Sequence, residues 1–320
     1  MRPSGAWKTS PVSRRTDDVL EGLKRAGQKE IPARYLYDTL GSALFEAITL
    51  LPEYGLTRAD LRLIARNAWE LAERDQPSLV VELGSGGGGK ARQILEALAQ
   101  RNPVRYCPVD VSHSALDACR LAFLDVPNLK VLPIEAAYIA GLKSALQERE
   151  PARPVLVLFL GSSIGNFDPE AAINFLVEIR GLLMRGDLLL FSADLEKDVP
   201  RMLAAYDDSL GVTAAFNLNV LARLNREMSA SFDLALFEHL VRYDKERRRI
   251  EMHLRSKVDQ TVSIDATEVA FRKGETVRSE CSYKFRLADV RRLWEAAGFR
   301  LENQWIDWEW PLAQTLLRAP

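Results

Sequence analysis

The chain has 320 residues, 47% hydrophobic and 27% charged, with a formal net charge of −1, which is globular composition with length for one large core or two modest ones. Basic clusters such as Lys245 to Arg249 are short and balanced by nearby acids, no apolar run reaches the length of a membrane span, and the N-terminal stretch lacks the apolar centre of a secretory signal, so neither nucleic acid nor membrane is an expected partner and the cytoplasm is the expected compartment. Cys107, Cys119 and Cys281 form no C-x-x-C pair and His113, His239 and His253 show no H-x-x-x-H spacing, so no metal site and no disulfide framework is expected.

Residues 1–15, rich in Pro, Ser and Arg, predict a loosely held arm. Helical patterns follow at Ser42 to Leu51 and Arg58 to Arg74. Short apolar runs at Leu79 to Leu83, Tyr106 to Asp110, Lys130 to Ile134, Val155 to Leu160 and Leu188 to Ala193 then predict buried strands, each separated from the next by a helix-length segment. That alternation is the mark of βαβ units and of an α/β, doubly wound parallel sheet, whose ligand crevice lies at the carboxyl ends of its strands. After Glu196 the rhythm breaks into helix-like segments, including Leu218 to Glu227, and then into alternating stretches around Phe237 to Leu254 and Thr261 to Thr267, which suggest an inserted α+β lobe. A last helix, Leu287 to Ala297, ends at Gly298, and strand-like runs around Arg300 to Trp305 and Trp310 to Leu317 fit an antiparallel return to the sheet edge. No internal repeat is present.

The stretch VVELGSGGGGKARQIL, Val80 to Leu95, admits three ligands. Gly84, Gly86 and Gly89 spell the G-x-G-x-x-G of dinucleotide folds, and Gly84 to Lys90 spells most of a phosphate-binding loop, with Ala91 where a Ser or Thr hydroxyl would bind Mg²⁺. The third reading is the first loop of an S-adenosylmethionine (SAM) methyltransferase. Asp110, closing the second strand, fits a ribose in either the dinucleotide or the SAM case. Glu82 favours SAM, because a carboxylate attracts its cationic methionine end and repels a pyrophosphate, and Lys90 would then serve the methionyl carboxylate. Taken alone, the stretch leaves SAM leading, with a dinucleotide or a plain tight turn still open.

Other motifs are more specific: YLYDTLGSALFEAITLLPEYGLTRAD, YCPVDVS, FLGSSIGNFDP, AAYDDSLGVTAAFNLNVLARLNRE, FEHLVRYDKERRRIEMHLRS and ECSYKF. With the glycine loop, they cover most of residues 30–290 and resemble, in order, the SAM-dependent histidine Nα-methyltransferases of ergothioneine biosynthesis, a family sharing ancestry with a fungal tryptophan-derivative N-methyltransferase group. The resemblance implies a class I SAM methyltransferase (Rossmann-like) domain over 59–197 and 284–320, and a substrate-binding lobe over 1–58 and 198–283. It implies SAM as cofactor, L-histidine as substrate, a monomer, and three successive methylations to hercynine. Carried over residue by residue, Glu280 and Ser282 match the pair that grips the imidazole, with Tyr54 on its other nitrogen. Asn166 and Tyr206 match the holders of the α-carboxylate and amine. Gly161, Ser163, Tyr37 and Phe45 should line the space around the reacting nitrogen, with Met252 near the imidazole, and the ring faces of Tyr37 and Phe45 suit growing positive charge. Glu82, Gly84, Ser85, Gly86, Lys90 and Asp110 fall to the cofactor.

The chain departs from the family pattern in three places. Extra glycines and Ala91 intervene before Arg92, Gly55 and Leu56 follow the PEY segment, and the third strand ends EAAY, with Ala137 where relatives carry an acid that recognises adenine. Glu135, two residues earlier, is the candidate substitute. Glu280 and Met252 stand as in the histidine-specific pattern, so histidine is expected over tryptophan; a different amine substrate, or a catalytically impaired histidine-binding relative, are the alternatives.

Overall fold

The computed structural model describes residues 11–320, with side chains from Asp17 onward. In chain order, α1 (Pro11–Lys24), β1 (Lys29–Glu30), α2 (Thr39–Leu50) and α3 (Leu56–Arg74) precede β2 (Leu79–Leu83), α4 (Arg92–Ala99), β3 (Val104–Asp110), α5 (His113–Ala122), β4 (Leu129–Val131), β5 (Ile134–Glu135), α6 (Tyr138–Ala145), β6 (Val155–Phe159), α7 (Pro169–Leu182) and β7 (Leu188–Asp194). There follow α8 (Val199–Ala204), α9 (Val212–Met228), β8 (Phe237–Asp244), β9 (Arg249–Ser256), β10 (Gln260–Ile264), β11 (Thr267–Phe271), β12 (Thr276–Tyr283), α10 (Leu287–Ala296), β13 (Arg300–Asp307) and β14 (Leu312–Arg318). The first ten residues of the expected N-terminal arm lie outside the described residues, and from Pro11 the chain is already helical.

The main sheet runs β13-β14-β7-β6-β2-β3-β4, with β5 also paired to β3. Its core strands are parallel, while β14 pairs antiparallel with both β7 and β13, as the C-terminal runs suggested. Alternation divides the side chains of each central strand between two apolar layers. Val81, Val157, Phe159 and Phe191 face α6, α7 and α10, whereas Val80, Leu156, Leu158 and Leu190 face α3 and α4. The strand order reverses between β2 and β6, and the loops leaving their carboxyl ends, at Gly84 and Gly161, face one crevice.

A second sheet, β1-β12-β9-β8, carries a separate apolar core built with α1, α2 and α9. It joins the main sheet directly: Leu195 bridges Phe285, Phe285 N–H donates to Asp194 O at 2.9 Å, and Glu196 N–H donates to Phe285 O at 2.9 Å. The carboxyl end of β7 is thereby stitched to the end of β12.

Several boundaries differ from expectation for local reasons. α2 begins at Thr39 because the Asp38 side chain accepts from Gly41 N–H at 2.7 Å, and the same carboxylate takes Asn219 Nδ2 at 2.8 Å, tying α2 to α9. α9 begins six residues early because the Asp208 carboxylate accepts from Val212 and Thr213 N–H groups across Gly211, which sits at φ +74°. The expected strand from Lys130 to Ile134 splits in two at Pro133, which has no N–H for the ladder. β12 is a strand whose polar sequence did not announce it. Among the described residues no helix is long and apolar enough to cross a membrane.

Gly141 lets α6 lie flush on β3: a Cβ there would come within 2.2 Å of Val109 Cγ1. Gly141→Ala is therefore expected to destabilise the protein by about 1–3 kcal/mol through overpacking, despite alanine's better helix propensity. Thermal denaturation checks it, and a melting temperature at or above wild type would overturn the packing argument.

Candidate active site

A single cavity lies where the two sheets meet, and its lining includes all ten residues assigned to substrate contact or catalysis: Tyr37, Phe45, Tyr54, Gly161, Ser163, Asn166, Tyr206, Met252, Glu280 and Ser282. They come from seven places in the chain. Tyr37 follows the turn of 3₁₀-helix Ala33–Leu36, Phe45 stands on α2, Tyr54 in the turn before α3, Gly161 to Asn166 in the loop after β6, Tyr206 after α8, and the last three on β9 and β12. Met252 and Glu280 are register partners, so their side chains share a face of the sheet, and Ser282 joins them two residues on. The pairing slips at Ser279, whose hydroxyl donates to Asn217 Oδ1 at 2.5 Å, which fixes the bulge against α9.

The loop from Gly161 takes two left-handed residues in succession, Gly161 at φ +73° and Ser162 at +58°. Its strain is held by specific bonds. Gly161 N–H donates to Asp60 Oδ2 at 2.7 Å, and Ser162 Oγ accepts from Asp194 N–H at 2.8 Å. Asp60, fully buried on α3, also takes Ser192 Oγ at 2.5 Å and Gln314 Nε2 at 2.6 Å, so its charge is met by three donors.

Rings dominate one wall. Tyr37 packs edge-on to Phe45 at 5.6 Å and to Phe216 at 5.5 Å, and Tyr54 to Tyr206 at 6.5 Å. Burial raises the hydroxyls of Tyr37, Tyr54 and Tyr206 above the ordinary tyrosine value, so all three stay neutral at physiological pH. Glu280 is the carboxylate of the cavity. Burial pushes it up to about 7, opposed by the nearby Lys284 charge and by a hydrogen bond from Tyr37 Oη at 3.4 Å. Lys284, itself buried, contacts Tyr206 Oη at 2.9 Å and Ser282 Oγ at 2.8 Å.

The glycine loop adjoins this cavity. Gly84 and Ser85 donate their N–H groups to Val109 O at 2.8 and 3.3 Å, and Gly86 N–H donates to Asp110 Oδ2 at 3.0 Å. Gly84, Gly86 and Gly88 all have positive φ, which a side chain would resist. Glu82 beneath them is fully buried and is pushed up to about 8, chiefly by burial; Tyr106 Oη donates to one carboxylate oxygen, and the other has no partner. Lys90 reaches back to Gly161, where a Cβ would stand 3.2 Å from Nζ. An unpartnered buried carboxylate oxygen and a lysine, flanking bare glycine backbone, fit a ligand with a cationic and an anionic end, as the methionyl part of SAM has.

Glu135 does not join them. Its backbone pairs with Asp110 at the end of β3, but its carboxylate lies exposed against His113 Nδ1 at 2.9 Å, and Ala137 is the N-cap of α6. Phe216, Thr213, Asp60 and Lys284 were not singled out in sequence, although each lies in or beside a quoted motif. Among the described residues, no cluster of three or more His, Cys, Asp or Glu side chains could hold a metal ion.

A family model described as histidine-specific methyltransferase, SAM-dependent, matches residues 15–319. The histidine N-alpha-methyltransferase of Mycobacterium tuberculosis is 40% identical over 294 residues, covering 91% of this chain and 90% of that protein. The protein of the same name from Mycolicibacterium smegmatis is 39% identical over the same shares. Among solved structures, a DUF574-family protein from Streptomyces avermitilis matches with a TM-score of 0.50 at 13% identity, over 90% of this chain and 97% of that one, a likeness of fold.

The two buried carboxyls carry a pH signature. Both sit above their ordinary value of 4.5, so between that pH and about 7 to 8 the folded chain binds more protons than the unfolded one, and stability falls as pH rises through that window. Glu280→Gln and Glu82→Gln should leave the melting temperature nearly unchanged near pH ~5, where the wild-type carboxyls are largely protonated when folded, and raise it near pH ~9. Equal effects at both pH values would contradict the burial of charge.

Proposed function

The chain belongs to the histidine-specific, SAM-dependent methyltransferase family, and from that membership we propose that it methylates the α-nitrogen of L-histidine three times, giving hercynine, the first step of ergothioneine biosynthesis. The observation that carries this reading is the single cavity collecting Tyr54, Asn166, Tyr206, Glu280 and Ser282 beside the glycine loop. Glu280 and Ser282 grip the imidazole, with Tyr54 on its other nitrogen, while Asn166 and Tyr206 hold the α-carboxylate and amine. A carboxyl and a hydroxyl buried at the ring's place reject a side chain that leaves them unpaired, which favours imidazole over the larger, less polar indole.

SAM, held by Glu82, Gly84, Ser85, Gly86, Lys90 and Asp110, supplies a methyl group on a sulfonium. The chain's own work is to present a neutral amine to it in line and without water. Tyr37 and Phe45 offer ring faces to the positive charge that grows on nitrogen. The tyrosines are neutral, so they accept and donate hydrogen bonds rather than act as phenolate bases. The amine then loses its proton to water or through a tyrosine between turnovers. We further infer, as the family resemblance implies, that the chain acts as a monomer, and that it works in the cytoplasm, where its three unpaired cysteines are stable.

Purified protein given SAM and the twenty amino acids should yield mono-, di- and trimethylated histidine by mass spectrometry; absence of any methylated histidine would sink the proposal. Glu280→Ala should weaken histidine binding about ten- to a hundredfold while leaving SAM affinity within a few-fold. The glycine-padded loop gives a separate test. Gly89 is exposed, does not need positive φ and has no atom within 4 Å of an added Cβ. Gly89→Ala should therefore stabilise the loop by about 0.4–1 kcal/mol and tighten SAM binding a few-fold by calorimetry, and weaker binding would show that the bare backbone is needed there.

A further inference from the structure

The assigned substrate residues leave one buried group without a role, Lys284. Its ammonium has three protons, and all three are engaged: Asp194 Oδ2 at 2.8 Å, Tyr206 Oη at 2.9 Å and Ser282 Oγ at 2.8 Å. Asp194 also accepts from Lys197 Nζ at 2.6 Å and from the Trp310 indole at 3.0 Å, both on Oδ1. Two lysine side chains thus share one carboxylate behind the cavity. Glu280, whose carboxyl also feels the Lys284 charge, lies on the cavity side.

The hydroxyl protons follow from this arrangement. Tyr206 Oη donates to Ser282 Oγ at 2.7 Å, so Ser282 Oγ accepts twice, from Lys284 and from Tyr206. A hydroxyl oxygen has two lone pairs, and both are taken. The Ser282 proton is left to point into the cavity.

We propose that Lys284 is a positioning residue that fixes Ser282 as an obligate hydrogen-bond donor, so that the cavity takes a ring presenting an unprotonated nitrogen at that point. The proposal deepens the histidine reading and rests on it for the ligand. Neutral imidazole has one N–H and one bare nitrogen; Ser282 donates to the bare nitrogen at the end of the ring it shares with the carboxyl of Glu280, and the N–H at the other nitrogen is left to the oxygen of Tyr54. A pyrrole ring has the N–H alone. An imidazolium has two N–H groups and so also lacks a bare nitrogen for Ser282. Without Lys284 the Ser282 hydroxyl is free to turn and accept, and the distinction between rings is lost.

The test is a ring-by-residue cycle. Binding of L-histidine and its pyrrole analogue 2-pyrrolylalanine, and of the side-chain probes 4-methylimidazole and 2-methylpyrrole, is measured by calorimetry on the wild type, Lys284→Met, Ser282→Ala and the double variant. The wild type should prefer the imidazole ring about ten- to a hundredfold, each single variant should reduce that preference to within about threefold, and the double variant should reduce it no further. A merely structural role would weaken both rings together and leave their ratio unchanged, and that result, or a wild type without ring preference, overturns the proposal. If Lys284→Met does not fold, Lys284→Gln is read the same way, since its two amide protons cannot serve three acceptors; an unchanged ratio there also overturns it. Methylation of histidine by the wild type is scored separately. A chain that makes no methylated histidine yet keeps a Lys284-dependent ring preference defeats the proposed function and supports the role of Lys284.

Discussion

The carboxylate of Asp194 is the point on which the two halves of the molecule turn. It ends β7, the last parallel strand of the main sheet, and it is met there by Lys284, four residues beyond Glu280 and two beyond Ser282, between the end of β12 and the bridge at Phe285. Ion pairs buried this deeply contribute little net stability, because desolvation offsets most of their attraction, but removing one partner costs about 3–5 kcal/mol. Their value here is positional. The same pair that closes the seam between the sheets sets the hydroxyls of Tyr206 and Ser282 beside the cavity, so the geometry of the site and the docking of the lobe are one constraint.

Around that seam each layer has a distinct task. The parallel sheet, apolar on both faces, provides a rigid edge from which the loops after β2 and β6 leave at the reversal of strand order. Those loops use glycine and left-handed backbone, and they are held by carboxylates, Asp110 under Gly86 and Asp60 under Gly161. The antiparallel sheet works differently. It presents side chains across a face, with Met252 opposite Glu280, and a bulge at Ser279 sets the register. Placing the carboxyl of Glu280 and the unpartnered oxygen of Glu82 in low-dielectric surroundings holds both above the usual carboxylate range, a cost that a cationic or hydrogen-bonding ligand relieves.

The parallel strands were legible because their signal is one-dimensional: short apolar runs bounded by turn residues and spaced by helices. β12 was not, since TVRSECSY alternates no apolar face; both of its sides carry buried polar groups whose partners come from α9, β9 and the cavity. The start of α9 was missed for a related reason, its cap being Asp208, set back beyond a left-handed glycine. Glu135 ends β5 paired to Asp110, but its carboxylate turns to His113 at the surface, a choice of side-chain partner that no string of residues announces. Lys284 stands in the quoted ECSYKF motif, but nothing in a string of residues says that a lysine is buried.

From the sequence alone follow the parallel doubly wound sheet, the antiparallel return of the C-terminus and, through ordered motifs, the family and its set of candidate residues. These are properties of local periodicity, turn chemistry and residue identity, which survive projection onto one dimension. Tertiary structure alone decided which of those residues share a cavity, which protons Ser282 and Tyr206 have to offer, and that the Glu135 carboxylate turns to His113. Such facts depend on long-range pairing between β7 and β12 and between α2 and α9, and burial and hydrogen-bond saturation exist only once those segments meet.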